Sequence, residues 1–165
     1  MRMRKGFTLI EILIVVAIIA ILASIVLVGL GPTQQAGRDA RRLSDLRQVQ
    51  NGLELYFSKC GYYPGAAVAG SCSGTPFGQI STWVALKASL TGSGIGVSTM
   101  PADPSAGHTY YYGTTATGGS YVLGAVLENA NGSVFNNYQA PDTTNYTIGD
   151  SFGGCAAAAT YCITL

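Results

Sequence analysis

The sequence predicts an α+β fold in which one long N-terminal helix packs on a small antiparallel β-sheet. Three observations support this class. Residues 7–30 form an apolar run, residues 33–59 repeat apolar side chains at steps of three and four, and short segments rich in Tyr, Val and Leu follow after residue 108. The first two patterns are typical of helices and the third of strands. Such strands bury their apolar face against an amphipathic helix.

The composition argues against an enzyme and against a nucleic-acid-binding protein. The 165 residues include 9 Lys and Arg against 8 Asp and Glu, and charged residues make up 10% of the chain, compared with about 25% in ordinary soluble proteins. This balance gives no strongly basic surface for nucleic acid. The only histidine is His108 and no Cys-x-x-Cys pair accompanies it, so the usual zinc and nucleophile sets are incomplete. We expect no catalytic residue, no cofactor and no specific nucleic-acid partner.

The N-terminus joins basic residues to an apolar segment of membrane length. Three basic residues, Arg2, Arg4 and Lys5, precede 24 mostly apolar residues, 7–30. As a helix this run is about 36 Å long, enough to cross a bilayer. The positive-inside rule places the N-terminus in the cytoplasm and the chain after about residue 30 outside it. A cleaved signal peptide and a buried core helix are alternatives that the length and uniformity of the run disfavour, and an ordinary membrane anchor is a third.

Glu11 is not explained by a plain membrane anchor. A carboxylate within hydrocarbon costs about 2.5 to 3.5 kcal/mol on insertion scales, so it requires a role or a positive partner at the same depth. The next basic residue, Arg38, lies 27 residues beyond Glu11, or about 40 Å along a helix. Cleavage between Gly6 and Phe7 would instead create an amino group one helical turn from Glu11.

The stretch KGFTLIE, Lys5 to Glu11, followed by the apolar run, resembles the type IV prepilin signature of type IV pilins and type II secretion pseudopilins. The resemblance implies a pilin fold. It also implies that prepilin peptidase cuts after Gly6 and methylates the amine of Phe7, and that Glu11 neutralises the amine of a neighbouring subunit. The implied partners are further copies in a helical filament, an inner-membrane assembly platform and membrane lipid. The subunit would therefore move from the plasma membrane to a cell-surface filament.

Four segments follow from these features. Residues 1–6 are a cytoplasmic leader, 7–30 a transmembrane and assembly helix, 31–60 the amphipathic half of the long helix, and 61–165 an extracytoplasmic globular head. Pro32 lacks an amide donor, so we expect the helix to kink or melt locally there.

The amphipathic half combines one apolar stripe with a surface of mixed charge. The predicted stripe consists of Ala36, Ala40, Leu43, Leu46, Val49 or Gln50, Leu53, and Tyr56 or Phe57. We expect this stripe to cover one face of the sheet. The charged residues on the other faces are Arg38, Asp39, Arg41, Arg42, Asp45, Arg47 and Glu54. We interpret these charges as a solvated surface, with contacts to other subunits as the alternative.

Residues 40–64 resemble the exposed half-helix and G-x-YP turn of the major pseudopilins. The sequence departs from many pilins at Pro32, because their helix-breaking proline lies a few residues earlier in the apolar run.

The head is predicted to contain a short helix over 81–90, capped by Ser81 or Thr82. Its predicted strands are residues 109–112 and 121–127, which form a hairpin, and residues 145–148. Residues 100–112 are similar to the stretch that enters the first strand of major pseudopilins, which carry a calcium loop after the hairpin. Here the oxygen ligands would come from Glu128, Asn129, Asn131, Asp142 and Asp150. These residues lack the alternate spacing of a calcium loop, so we interpret them as a polar loop.

Four cysteines, Cys60, Cys72, Cys155 and Cys162, all lie on the side predicted to be outside. An even number there indicates disulfides, and the alternative is four reduced thiols. Sequence allows three pairings, of which the local one joins Cys60 to Cys72 and Cys155 to Cys162. A tail loop bounded by cysteines also resembles the variable loop of pilins.

The function expected from these features is that of a structural subunit of a type IV pilus, because the Cys-bounded tail and the Gly-, Thr- and Tyr-rich head favour a pilus. A pseudopilin of a type II secretion system is the alternative, since the first 64 residues are compatible with a pilin and with a pseudopilin. A membrane-anchored surface binding module that never polymerises is a further alternative.

Overall fold

The computed structural model describes residues 6–66, 72, 82–149 and 152–165. The chain divides into an N-terminal unit, residues 1–35, and a head unit, residues 36–165. Helix α1 (Leu9–Cys60) contributes to both units. Its residues up to 35 belong to the N-terminal unit, and its remaining residues are the first element of the head unit. The head adds a second helix and a four-stranded sheet, which confirms the predicted α+β class.

In the N-terminal unit, the described large apolar side chains from Phe7 to Leu30 are exposed, with values between 82% at Leu9 and 45% at Leu30. The most apolar 18 residues of α1 have a mean hydropathy of 3.3, and none of that window is buried in the structure. By length and composition α1 can therefore cross a membrane.

Pro32 lies inside α1, and the helix continues through it. The helix therefore does not melt at this position, and the other expectation, a kink at Pro32, stays a prediction. A proline removes the hydrogen bond that its own amide would donate to the preceding turn, and its ring crowds the carbonyl group of that turn. The bonds on either side suffice to carry the helix past it.

One antiparallel sheet forms the centre of the head. Its strands are β1 (Tyr111–Thr115), β2 (Tyr121–Val126), β3 (Tyr146–Ile148) and β4 (Thr160–Thr164), in the order β3-β1-β2-β4. The predicted hairpin and third strand are confirmed. β1 starts at Tyr111 rather than residue 109 and continues to Thr115, because its ladder with β2 and β3 extends that far.

The strand β4 was not predicted, and it pairs with β2 along its whole length, from Val122 opposite Thr164 to Val126 opposite Thr160. It covers the edge of β2 that the hairpin leaves open.

Helix α2 (Trp83–Gly92) confirms the predicted short helix. Thr82 is its N-cap, since Thr82 Oγ1 accepts a hydrogen bond from the Ala85 amide at 3.3 Å. Ser81, the other candidate, lies outside the described residues. At the opposite end Lys59 Nζ donates to the carbonyl oxygen of Ser93 at 2.5 Å, which satisfies the C-terminus of α2 with a positive charge.

The main core lies between α1 and one face of the sheet. The buried large apolar side chains of α1 are Leu46, Val49, Leu53 and Tyr56. The sheet contributes Tyr112, Tyr121, Leu123 and Ala125. The predicted stripe is confirmed from Leu46 onward, whereas Ala36 and Ala40 are exposed and Leu43 is half-buried. Phe57 is also exposed, so Tyr56 is the core residue of that pair.

A second, smaller cluster covers the opposite face of the sheet. Val122 packs there with the disulfide of Cys155 and Cys162, and Phe152 lies against them. The C-terminal segment thus shields the face that α1 does not reach.

Candidate functional site

The first turn of α1 is held by two reciprocal hydrogen bonds between Thr8 and Glu11. The Thr8 amide donates to Glu11 Oε2 at 3.4 Å, and the Glu11 amide donates to Thr8 Oγ1 at 3.3 Å. This is a capping box, with Thr8 at the N-cap and Glu11 at the third helical position. The helix therefore starts at Leu9, and Gly6 and Phe7 precede it as exposed, non-helical residues.

The capping box satisfies two of the four amides that a helix leaves open at its N-terminus. The first hydrogen bond of the helix itself runs from the Ile12 amide to the Thr8 carbonyl oxygen at 3.4 Å. The charge of Glu11 was recognised from the sequence, whereas its bond to Thr8 was not predicted. The Thr-x-x-Glu spacing ahead of an apolar run was the available signal.

Cleavage after Gly6, methylation of Phe7 and an assembly role for Glu11 stay predictions. The structure places Gly6 and Phe7 just ahead of the capping box. The leader residues Arg2, Arg4 and Lys5 lie outside the described residues.

Arg42 is the centre of a buried polar cluster in the head. Its Nε and Nη2 donate to the two carboxylate oxygens of Asp103 at 2.8 and 2.9 Å. Its Nη1 donates to Asp39 at 2.7 Å and to Glu128 at 3.0 Å, and Nη2 also donates to Ser105 Oγ at 2.8 Å. A guanidinium has five N–H donors, and here each of them has an acceptor.

Two further interactions tie this cluster to the end of β2. Arg38 forms an ion pair with Glu128 at 2.5 Å. The Asp39 carboxylate accepts the backbone amides of Glu128 and Asn129 at 2.9 and 3.0 Å. The cluster therefore joins α1 to the loop before β1 and to the residues after β2.

The expectation that the charges of α1 form a solvated surface is wrong for Asp39, Arg42 and Asp45, which are buried. The spacing of α1 explains this burial. Stepping back from Leu46 by four and by seven residues along the buried face reaches Arg42 and Asp39. Asp45 is buried because its carboxylate accepts the Tyr110 hydroxyl at 2.6 Å. By contrast, Arg41, Arg47 and Glu54 are exposed as expected.

The cluster lowers the pKa of two of its acidic members, Glu128 and Asp103. The hydrogen bond from Arg38 lowers the pKa of Glu128 to about 2, with Arg42 and Ser105 contributing in the same direction. Burial alone would raise the pKa of Asp103, but hydrogen bonds from Arg42 and from the Ser105 amide outweigh it, so the net shift is also downward. Both acids are ionised at neutral pH.

The two disulfides in the structure join Cys60 to Cys72 and Cys155 to Cys162. The first ties the C-terminus of α1 to the following loop. The second closes a short loop against Val122 on the outer face of the sheet.

Of the five candidate calcium ligands, those that the structure describes have separate hydrogen-bond partners. Glu128 is bonded to Arg38 and Arg42, Asn129 Oδ1 accepts the Asn131 amide, and Asp142 accepts the Thr144 amide. Asp150 lies outside the described residues. In the part of the chain that the structure describes, no group of three His, Cys, Asp or Glu side chains is placed to hold a metal.

Comparison with known proteins identifies the N-terminal region. Residues 1–27 match the family model of the prokaryotic N-terminal methylation motif. This motif and the exposed apolar helix indicate that the chain is anchored in a membrane.

Several curated relatives are similar to part of the chain. The type II secretion system core protein G of Escherichia coli (strain K12) is 34% identical over 61 residues, which are 37% of this chain and 42% of the relative. The protein of the same name from Aeromonas hydrophila is 33% identical over 63 residues, 38% of this chain and 44% of the relative. That of Vibrio cholerae serotype O1 is 34% identical over 64 residues, 39% of this chain and 44% of the relative.

The match thus spans less than half the length of these relatives. No solved structure matches the chain. The N-terminal methylation motif, the similarity to core protein G, and the long helix packed on a small antiparallel sheet make this chain similar to the type IV pilins and pseudopilins.

Proposed function

We propose that this chain is a structural, non-enzymatic subunit that polymerises through α1 into a type II secretion pseudopilus. The observation that carries the proposal is the similarity of its N-terminal region to three curated relatives that share the name type II secretion system core protein G. This similarity favours the secretion role over the pilus role that the Cys-bounded tail and the composition of the head suggested.

The exposed apolar surface of α1 supports polymerisation. None of the 18 most apolar residues of α1 is buried within the chain itself, so this part of the helix needs an apolar environment. Lipid supplies that environment before assembly. Packing of α1 against the helices of neighbouring copies would supply the same environment in the filament.

Processing would prepare the subunit for this packing. Prepilin peptidase would cut between Gly6 and Phe7 and methylate the new amine. Glu11 would then pair with the amine of a neighbouring copy, because a buried carboxylate is stable only with a charged or hydrogen-bonding partner. The inner-membrane assembly platform would be the site of polymerisation.

A type IV pilus subunit is a second candidate, and the Cys155–Cys162 disulfide favours it. This disulfide bounds a C-terminal loop on the outer face of the sheet, as in the variable loop of pilins that the sequence resembles.

A chromosomal deletion of the encoding gene tests the two candidates. We expect the deletion strain to retain its exported proteins in the envelope and to secrete wild-type amounts again when the full chain is restored. Loss of sheared surface filaments with normal secretion would establish the pilus role instead.

Mass measurement and N-terminal sequencing of the membrane-derived protein test the processing, with a methylated Phe7 as the expected first residue. A mature chain that starts after Ala23 would contradict it and indicate a cleaved signal peptide.

A further inference from the structure

The segment that directly follows β2 contains the first of the candidate calcium ligands, Glu128. The sequence resembles the major pseudopilins, in which a calcium loop follows the hairpin. In this chain, however, the Glu128 carboxylate accepts four hydrogen bonds from protein groups. Oε1 accepts Arg38 Nε at 2.7 Å, Arg42 Nη1 at 3.0 Å and Ser105 Oγ at 3.1 Å, and Oε2 accepts Arg38 Nη2 at 2.5 Å. A carboxylate has about four lone-pair sites, so all of those of Glu128 are used.

The oxygen atoms next to Glu128 are committed in the same way. Asp39 accepts Arg42 Nη1 at 2.7 Å. It also accepts the backbone amides of Glu128 and Asn129 at 2.9 and 3.0 Å. The side-chain oxygen of Asn129 accepts the Asn131 amide at 3.0 Å. Calcium takes about six to eight oxygen ligands at about 2.3 to 2.6 Å, so Glu128 would have to release its guanidinium partners to bind it.

The two guanidinium groups also oppose a metal ion by their charge. Both lie within hydrogen-bond distance of Glu128 Oε1, and the Arg42 side chain is completely buried. An ion bound to the same oxygen would lie close to two positive charges, in a region where solvent screens them little. A guanidinium group stays protonated at every physiological pH. The repulsion is therefore a constant property of this part of the head.

We propose that Arg38 and Arg42 do in this head what a bound calcium ion does in a calcium loop, and that the segment after β2 therefore takes no calcium. The guanidinium groups neutralise Glu128 and Asp39, and through these acids they fasten residues 127–129 to α1. Because the positive charges belong to α1 itself, this tether does not vary with the calcium concentration around the cell. The inference concerns the isolated subunit and is independent of whether the chain serves a pseudopilus or a pilus.

Hydrogen exchange at two backbone amides tests the tether directly. The amides of Glu128 and Asn129 donate to Asp39, so their exchange rates report whether the segment is held on α1. The rates are measured on the full chain in detergent micelles, once with CaCl2 and once with EDTA. The urea midpoint of the head is measured in the same two buffers by the fluorescence of the buried Trp83.

Three variants are compared with the wild type. Arg42→Met removes the buried guanidinium. Arg38→Met removes the partner of Glu128 whose side chain is 35% exposed, so it is the milder change and answers the question even if Arg42→Met fails to fold. Arg41→Met serves as the control for loss of a positive charge from α1, because its nearest carboxylate oxygen is 3.9 Å away.

We expect the wild type to show the same exchange rates at positions 128 and 129, and the same urea midpoint, in CaCl2 and in EDTA. In EDTA, Arg42→Met should raise both exchange rates by at least about tenfold, the equivalent of one lost charge-assisted hydrogen bond. Arg38→Met should raise them by about three- to fivefold, as for a partly exposed ion pair. Arg41→Met should exchange like the wild type.

Slower exchange at positions 128 and 129, or a higher urea midpoint, when CaCl2 replaces EDTA in the wild type would overturn the proposal. Either result would show that calcium binds and holds the head beside the arginines. Wild-type exchange rates in Arg38→Met or in Arg42→Met would overturn it as well, since the guanidinium groups would then not carry the tether. None of these results bears on assembly, because the secretion and filament phenotypes of the deletion strain decide the proposed function separately.

Discussion

Arg42 and Asp103 form a bidentate ion pair in which Nε and Nη2 of the guanidinium lie 2.8 and 2.9 Å from the two carboxylate oxygens. Both side chains are almost completely excluded from solvent, at 0% and 1% exposure. The pair fastens α1 to the loop that leads into β1, so the position of the helix on the sheet depends on a charged contact as well as on the apolar core.

Replacing Arg42 with Met should destabilise the head by about 3 to 5 kcal/mol, because the change leaves buried carboxylates without their positive partner. Urea unfolding of the full chain in detergent measures this loss. The single tryptophan, Trp83, is buried in the head and reports the transition by its fluorescence.

Arg41→Met is the matched control. The Arg41 side chain is 62% exposed and its nearest carboxylate oxygen, on Asp45, is 3.9 Å away, so its effect should stay within about 0.5 kcal/mol. Equal losses in both variants would show that the buried cluster does not hold the head together.

Acid should weaken the head between pH about 4.5 and about 2. The pKa of Glu128 is lowered from 4.5 to about 2 in the folded chain by its hydrogen bond with Arg38. A carboxylate with a lowered folded pKa contributes stability above its unfolded pKa and loses it as the pH falls through the folded value. Urea midpoints measured from pH 7 to pH 2 should therefore fall below pH about 4.5.

Glu128→Gln is the control for this dependence, because it removes the titrating group and keeps the side-chain shape. We expect a lower midpoint at pH 7 and a shallower decline in acid. A decline identical to that of the wild type would assign the acid sensitivity to other carboxylates, and Asp103, whose pKa is also lowered, would be the next to test.

Gly118→Ala should destabilise the head by about 1 to 3 kcal/mol. Gly118 lies in the turn between β1 and β2 with φ of +67°, and an added Cβ would lie 2.5 Å from the Cβ of Ala66. The neighbouring variant Gly119→Ala is the control, since its Cβ would meet only Thr117 Oγ1 at 3.6 Å. Thermal unfolding of both variants measures the difference, and an equal melting temperature would show that the turn can shift away from Ala66.

Glu11→Val should leave membrane insertion and cleavage intact and reduce filament assembly. The substitution removes an insertion cost of about 2.5 to 3.5 kcal/mol, so the membrane level should hold or rise. The amine of Phe7 would lose its acidic partner, so sheared filaments should decrease. Co-expression with the wild-type chain should ease the defect, because each charge pair joins two copies and a mixed polymer tolerates a missing one. Equal filament yield from cells with the variant alone would show that Glu11 is not an assembly contact.

The elements defined by local periodicity were predictable from the sequence. The apolar run, the buried positions from Leu46 to Tyr56, α2 and the β1–β2 hairpin all follow from side-chain spacing within one segment. Alternate residues of a strand face opposite sides, and Tyr110, Tyr111 and Tyr112 follow this rule. In the structure Tyr110 and Tyr112 are buried and Tyr111 stacks on Phe152 at a ring distance of 4.5 Å.

The features that depend on distant partners were not predictable in this way. Arg42 occupies the buried face of α1, but an arginine is buried only where acceptors meet it, and those acceptors lie 61 residues away at Asp103 and 86 residues away at Glu128. The continuation of α1 through Pro32 also differed from expectation, because residue type alone does not decide whether the flanking turns hold the helix.

β4 was missed for a related reason. Its residues alternate Thr, Tyr, Cys, Ile and Thr, which suits a strand, but it is short and follows directly on the loop closed by Cys155 and Cys162. Its role is defined only by the open edge of β2, which comes from a different part of the chain.

The pairing of β4 with β2 also has a consequence for the order of events during biosynthesis. β2 keeps one unpaired edge until residues 160–164 have been made and have reached it. The sheet of the head therefore closes only after its C-terminal strand has been synthesised, so a stable head forms late, when the rest of the chain is already in place.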